Sequence, residues 1–290
     1  MILARIVLSI AALAALPPRA HAAPPDGAAL LARFAPAIVN LRLTLRTEME
    51  GGGHPGQDSS EEVAGVLVDP GGLVLVWNSH LSAGRMSELF ADLSQDDGFR
   101  LKVTPVDVRI WIAGQEKEHR AFLAAADSDL DLAFVQLEEP PAAPLPFVDF
   151  AASAEPAVGD ELVTVSRLSS RFDRAPFFDV VRVTGRLEKP RAAWIVGGGN
   201  ATQAGLPYFD ALGRPVGVLV TFVSRTSDAP SGASNRLFAE LVSLGRGESE
   251  VGPLGLFLLP ASRIDGRIEL AREQARRLME ERRAEAAAAP

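Results

Sequence analysis

The sequence predicts an all-β fold in two halves of about equal size, closed by one C-terminal helix. Short apolar or alternating segments recur along the 290 residues, and turns rich in glycine and proline separate them. This spacing is typical of a β-barrel or a β-sandwich. The proline- and alanine-rich residues 140–146 predict the connector between the two halves.

The first half begins with a short amphipathic helix at residues 28–34, which Pro36 ends. Residues 38–45 alternate apolar and polar side chains, and this alternation predicts a half-buried strand. Residues 50–62 are polar, rich in glycine and without periodicity, so they predict a surface loop. Five further strands are predicted at residues 63–68, 73–77, 103–112, 119–125 and 132–137.

The second half repeats the pattern of short strands. They are predicted at residues 161–166, 178–187, 193–196, 208–209, 216–223 and 256–259. Residues 82–98 are polar and predict an insertion between strands. Residues 224–249 are polar and rich in glycine and serine in their first part, with a short apolar stretch at 237–244. Residues 264–285 are charged, with apolar residues along one face, and predict a helix.

Composition excludes several classes of function. The formal net charge of −8 gives no basis for nucleic acid or an anionic membrane surface as a partner. The chain has no cysteine, which excludes a thiol nucleophile and a thiolate metal site. Because no nucleotide-binding loop or metal-ligand motif is present, the sequence predicts no metal and no cofactor.

The N-terminus predicts a signal peptide over residues 1–22. Residues 1–5 are positive, residues 6–16 are apolar and uncharged, and Ala20-His21-Ala22 forms an A-x-A cleavage pattern. The apolar segment is too short to span a bilayer. We therefore expect a mature chain without a membrane span, exported to the periplasm or secreted.

Four segments, in order, and a closing strand after them resemble the trypsin-like protease domain of the HtrA (DegP-type) family. Residues 34–40 are similar to its opening helix and strand, and residues 64–80 to its G-S-G-V-I-x-x-x-G-x-I-L-T-N-x-H hairpin. Residues 127–135 resemble D-x-x-x-D-L-A-V-L. The loop around Ala204 resembles G-N-S-G-G-P, and residues 254–260 resemble the closing G-x-G-F-A-I-P strand.

The resemblance implies a chymotrypsin-like double β-barrel with a C-terminal helix. It divides the chain after the signal peptide into barrel halves at residues 23–143 and 144–262, with the helix and tail at 263–290. His80 falls at the position of the general base, and Asp131 at that of the carboxylate that orients it. The family usually continues into a peptide-binding PDZ domain, which we expect this protein to lack.

The resemblance fails at the nucleophile, because Ala204 stands where the family has its serine. Thr202 replaces a glycine of the oxyanion loop, and Leu206 replaces the second glycine of G-G-P, whereas Gln203 and Gly205 complete what remains of the loop. A shifted alignment on residues 199–201 also places an alanine at the nucleophile. Loss of the nucleophile removes several orders of magnitude of rate, since the triad acts as a unit.

The sequence therefore favours a protease homologue without peptidase activity, which binds a polypeptide or protein partner by strand addition. One alternative is an active endopeptidase with a displaced nucleophile such as Ser166, Ser169 or Ser170, or less favourably Thr202. Another is a structural module of an envelope complex. The sequence leaves homo-oligomerisation open.

Overall fold

The computed structural model describes residues 25–50, 57–81, 100–189, 191–198, 201–221 and 256–288. Its first closed antiparallel barrel has the strand order β1-β2-β3-β6-β5-β4. The strands are β1 (Ile38–Glu50), β2 (Gln57–Leu67), β3 (Leu73–Trp77), β4 (Arg100–Trp111), β5 (Glu118–Asp127) and β6 (Leu132–Leu137). The predicted signal peptide, the predicted insertion at 82–98 and residues 224–249 lie outside the described residues.

The second closed barrel has the order β10-β11-β12-β9-β8-β7. Its strands are β7 (Glu161–Arg167), β8 (Pro176–Leu187), β9 (Ala193–Gly197), β10 (Pro207–Phe209), β11 (Pro215–Thr221) and β12 (Leu256–Pro260). Two six-stranded antiparallel barrels and a C-terminal helix confirm the predicted all-β class and its chymotrypsin-like architecture.

Strand β2 begins six residues earlier than the sequence predicts. The residues placed in a surface loop from position 57 onward instead pair with β1, from Thr47 opposite Gln57 to Ile38 opposite Val66. Side chains 57–61 are exposed, so this part of the strand lacks the apolar alternation that burial would impose. Backbone pairing with a long neighbouring strand, which composition does not encode, extends β2.

Alternation along β1 assigns its residues to two environments. Val39, Leu41 and Leu43 are fully buried inside the first barrel. Ile38 is also fully buried, but it belongs to a different core, which fills the space between the barrels and the two helices. Burying one such aliphatic side chain stabilises the fold by roughly 1.5–3 kcal/mol. Strand β1 therefore contributes side chains both to the interior of the first barrel and to the layer between the barrels.

Each helix packs on the barrel that is farther from it in the sequence. Helix α1 (Gly27–Phe34) precedes the first barrel but contacts β7 and β8 of the second. Phe34 stacks on Phe209 of β10 with ring centroids 3.9 Å apart. Asp26 caps this helix by accepting a hydrogen bond from the Ala29 backbone N–H at 3.1 Å.

Helix α2 (Asp265–Ala288) follows the second barrel but packs on β5 and β6 of the first. Arg272 pairs with Asp69 at 2.6 Å, and Arg267 pairs with Asp127 at 3.1 Å. The buried face of this segment consists of Ile264, Ile268, Ala271 and Ala275, as the sequence predicts. Among the helices in the described ranges, none combines the length and the apolar content needed to cross a membrane.

Candidate functional site

The carboxylate of Asp131 is buried at the end of the first barrel, and Trp77 and Ser79 are among its hydrogen-bond donors. The indole N–H of Trp77 donates to Oδ2, and the Ser79 hydroxyl donates to Oδ1 at 3.1 Å. The Asp131 carbonyl also accepts the Asn78 backbone N–H at 3.1 Å. Asp131 is 1% exposed and adopts a left-handed φ of 59°. Asp131, in the turn between β5 and β6, therefore accepts hydrogen bonds from the residues at the end of β3 and in the turn that follows it.

His80 ends the short 3₁₀ helix Asn78–His80 and faces a different carboxylate. Its Nδ1 lies 3.7 Å from Oε1 of Glu61 on β2. The imidazole meets the Trp77 ring edge to face, with centroids 5.0 Å apart. Both His80 and Asp131 are in the described part of the chain, and no hydrogen bond or ion pair joins them there. The arrangement differs from a catalytic pair, in which a carboxylate accepts the Nδ1 proton.

Ala204 lies directly after the 3₁₀ helix Ala201–Gln203 and is 2% exposed. The next residue, Gly205, has a φ of 83°, and its N–H donates to the Leu219 carbonyl at 2.8 Å. A 3₁₀ turn directs N–H groups toward carbonyls three residues earlier in the chain. An oxyanion hole instead requires N–H groups that converge on a bound oxygen.

Trp77 contacts the regions of all three predicted triad positions. Its indole binds Asp131, its ring meets His80, and its side chain packs against the core cluster that contains Ala204. The Trp77 backbone also lies against Gly205, since a Cβ built on that glycine would be 3.0 Å from the Trp77 Cα. The structure thus brings the predicted residues to one region between the barrels, where all of them lie around Trp77.

A buried polar chain fixes the loop before Ala204. The Tyr208 hydroxyl donates to Oε1 of Gln203 at 2.8 Å, and the Gln203 amide donates to Oδ2 of Asp179 at 2.8 Å. Tyr208 is fully buried and Gln203 is 2% exposed, whereas Thr202 is exposed. Because both ends of the Gln203 amide are bonded, this side chain holds the loop to β8 and β10.

Tyr208 makes stability depend on pH in the alkaline range. Burial, with a smaller contribution from the Asp179 charge, raises the pKa of Tyr208 far above its usual value. Since the folded state favours the protonated phenol, this stability is fully present below the unfolded-state pKa of about 10 and is lost as pH rises above it.

Tyr208 is the chain's single tyrosine, so tyrosinate absorbance reports on it alone. We expect that absorbance to appear only with unfolding, and Tyr208→Phe to remove this part of the pH dependence. Titration of the phenol while the near-ultraviolet circular dichroism remains native would contradict the expectation.

The alternative nucleophiles have other environments. Ser166 is 2% exposed within β7. The carbonyl of Ser169 accepts two backbone N–H groups of the β7–β8 loop, and the Ser170 hydroxyl donates to Glu62 at 2.6 Å. No cluster of three or more His, Asp or Glu side chains that could hold a metal ion occurs in the described residues.

Sequence reasoning missed Trp77, Ser79 and Glu61, although a signal for the first was present. The family pattern has a threonine three positions before its histidine, and this chain has Trp77 at that position. An indole carries a donor and no acceptor, so a buried tryptophan beside a buried carboxylate predicts a hydrogen bond between them.

Comparison with known proteins does not identify a family for this chain. No family model matches the sequence, and no curated protein matches it. Among solved structures, the chain is similar to the MamO protease domain from Magnetospirillum magneticum in its apo form, with 15% sequence identity and a TM-score of 0.48. That match covers 81% of this chain and 97% of the other. The functional argument therefore depends on the site itself.

Proposed function

We propose that this protein is an exported, HtrA-like homologue of trypsin-like proteases that has no peptidase activity and binds polypeptide or protein partners. The observation that carries the proposal is the engagement of Asp131 by Trp77 and Ser79. It joins the sequence observation that alanine occupies the aligned nucleophile position, residue 204. Residues 1–22, as a signal peptide, and the barrel halves 23–143 and 144–262 complete the proposed organisation.

The chemistry of acyl transfer explains why this geometry argues against catalysis. A serine hydroxyl needs a histidine base, and that base needs a carboxylate that fixes its tautomer and stabilises its charged form. In this site the aligned carboxylate, Asp131, accepts from an indole and a hydroxyl, while His80 lies beside the half-exposed Glu61. Adding a hydroxyl at position 204 supplies one missing group and leaves the histidine without its aligned partner.

The architecture supports retention of a binding role. A cleft between two rigid barrels accepts an extended chain by backbone pairing, which needs no nucleophile. The polar chain through Gln203 and Tyr208 holds the loop at the cleft in one conformation. Preformed sites lose less conformational entropy when a ligand binds.

The test is labelling with a fluorophosphonate probe. We expect no labelling of the native chain and none of Ala204→Ser, because His80 remains unpaired with Asp131. The double variant Ala204→Ser with Trp77→Thr installs the family's residue in place of the indole. We expect it to react weakly with the probe, because Ser79 still donates to Asp131 and the Gly205 N–H still bonds to Leu219. Adding His80→Ala to the double variant should abolish that reaction, since the hydroxyl then has no base.

Two outcomes would contradict these assignments. Labelling of the native chain would refute the loss of activity and direct the search to Ser166, Ser169 and Ser170. Labelling of Ala204→Ser alone would refute the role given to Trp77. The same preparations serve for the binding role: a permanently unfolded polypeptide should bind the native protein, while its folded form serves as the negative control.

A further inference from the structure

The loop between β7 and β8, residues 168–175, extends from the second barrel and contacts the first. Its adjacent residues Asp173 and Arg174 both adopt left-handed φ values, 56° and 51°. Each such residue other than glycine costs roughly 1–2 kcal/mol, so the conformation persists only when surrounding contacts determine it. In this loop those contacts are hydrogen bonds within the loop and, for Arg174, contacts with the other barrel.

Glu62 of β2 receives three hydrogen bonds from this loop. The backbone N–H and the hydroxyl of Ser170 donate to Oε2 at 3.0 and 2.6 Å, and Nε of Arg174 donates to Oε1 at 3.0 Å. Partial burial raises the pKa of Glu62, but the Ser170 hydrogen bonds and the Arg174 charge together bring that pKa below its usual value. The carboxylate is therefore held in its charged form, and charged donors and acceptors make the stronger hydrogen bonds.

Arg174 has two further partners in the first barrel. Its guanidinium donates to Oε1 of Glu118 at 3.2 Å and lies 5.0 Å from the centroid of the Trp111 ring. The side chains of Arg174, Glu62 and Glu118 are only 21%, 17% and 13% exposed. Ion pairs that are largely removed from water are less screened by salt than surface pairs, so these contacts are energetically significant.

The base of the loop is anchored by a second arginine. Arg167 donates to the backbone carbonyls of Ile38 at 2.8 Å and Ala35 at 2.7 Å in the first half of the chain. It also donates to the carbonyl of Arg174 at 3.0 Å. Arg167 thus joins the loop's strained residue to the start of β1, and the loop is braced on both of its sides.

Strand β2 connects this loop to the candidate site. Glu61 and Glu62 are adjacent, and successive side chains of a strand point to opposite faces. Glu62 therefore faces the loop while Glu61 faces His80, whose Nδ1 lies 3.7 Å away. Movement of β2 toward or away from the loop carries Glu61 with it and changes the distance between Glu61 and His80.

We infer that residues 168–175 form a latch between the barrels, whose hold on Glu62 positions β2 and with it the Glu61–His80 pair at the cleft. The inference deepens the proposed function, on which it rests, by naming the contact that controls the geometry of the binding cleft. A partner that displaced Arg174 from Glu62 would alter the position of Glu61 at the cleft, although the partner itself would bind outside the cleft. By linkage, a ligand seated against His80 would alter the hold of the latch.

The test compares Arg174→Gln with Arg171→Gln. Arg171 is exposed on the same loop and forms no ion pair within the described residues, so its replacement makes the same change in charge without touching Glu62. The readouts are the His80 ring resonances in NMR spectra, assigned with His80→Ala, and amide hydrogen exchange along β2. We expect Arg174→Gln to shift the His80 resonances and to speed exchange at residues 60–63 about tenfold, as loss of a charge-assisted hydrogen bond predicts. Arg171→Gln should do neither.

A second variant removes dependence on one substitution. Glu62→Gln breaks the same contact from the first barrel, and the double variant with Arg174→Gln should add little further exchange, because the two groups act together. Unchanged His80 resonances in both single variants, with thermal unfolding still cooperative, would overturn the latch. So would additive effects in the double variant. These readouts involve no probe chemistry, so native-chain labelling by fluorophosphonate would refute the proposed function and leave the result on the latch standing.

Discussion

Replacing Gly205 with alanine should reduce the free energy of unfolding by about 3 kcal/mol or more, from the combined costs of overpacking and a left-handed alanine. The φ of Gly205 is 83°, and a Cβ there would lie 3.0 Å from the Trp77 Cα, with the Trp77 backbone nitrogen closer still. Neither backbone can move easily. The Gly205 N–H is bonded to the Leu219 carbonyl, and Trp77 is followed directly by Asn78, whose N–H is bonded to the Asp131 carbonyl.

Gly114 provides a matched control for the backbone conformation. Its φ is 79°, and a Cβ built on it meets nothing within 4 Å. Gly114→Ala should therefore cost only the left-handed strain of roughly 1–2 kcal/mol. Urea denaturation of the two variants measures the difference. Equal losses would show that the barrels separate readily at Gly205, contrary to the close approach described above.

Asp131 should be the most sensitive of the aligned catalytic positions, and through stability rather than activity. In Asp131→Ala the Trp77 indole and the Ser79 hydroxyl lose their acceptor, and alanine must adopt the left-handed φ of 59°. We expect a loss of about 3–4 kcal/mol, since a buried unsatisfied donor and left-handed strain both contribute.

A graded series separates the two contributions at position 131. Asparagine tolerates the left-handed region and keeps one acceptor oxygen, so Asp131→Asn should lose about 1 kcal/mol. Asp131→Gly keeps the backbone conformation but loses the acceptor, and its loss should be intermediate. Denaturant unfolding gives the order. Near-ultraviolet circular dichroism, to which Trp111 and Trp194 also contribute, reports the Trp77 indole by comparison with Trp77→Phe. An alanine variant as stable as the asparagine variant would refute the structural role.

The fold was accessible from the sequence because its signals are local. Strand alternation, glycine and proline turns, and the apolar face of α2 each depend on a few neighbouring residues. The length of β2 was not accessible, since residues 57–61 are polar and exposed and only their pairing with β1 makes them a strand. Motifs gave the positions of His80, Asp131 and Ala204, which lie far apart in the chain.

The partners of those residues could not be predicted from motifs. Whether the Asp131 carboxylate meets an imidazole or an indole depends on side-chain orientations that are set by packing between the barrels. Glu61 belonged to a segment without any recognisable pattern, so its position beside His80 had no sequence signal. Among these partners, Trp77 did carry a signal in the sequence, because a large side chain with a hydrogen-bond donor replaces the threonine of the aligned motif.

The exchange of helices between the barrels has a consequence for the order in which the protein acquires its structure. A chain that emerges N-terminus first presents α1 long before the second barrel, including Phe209, exists to receive it. Likewise, the surface of the first barrel around Asp69 and Asp127 is covered only when α2, which follows the second barrel, has emerged. Both barrels therefore complete their helix contacts only after the second barrel and α2 have been synthesised. Until then, the partly formed protein exposes apolar surface.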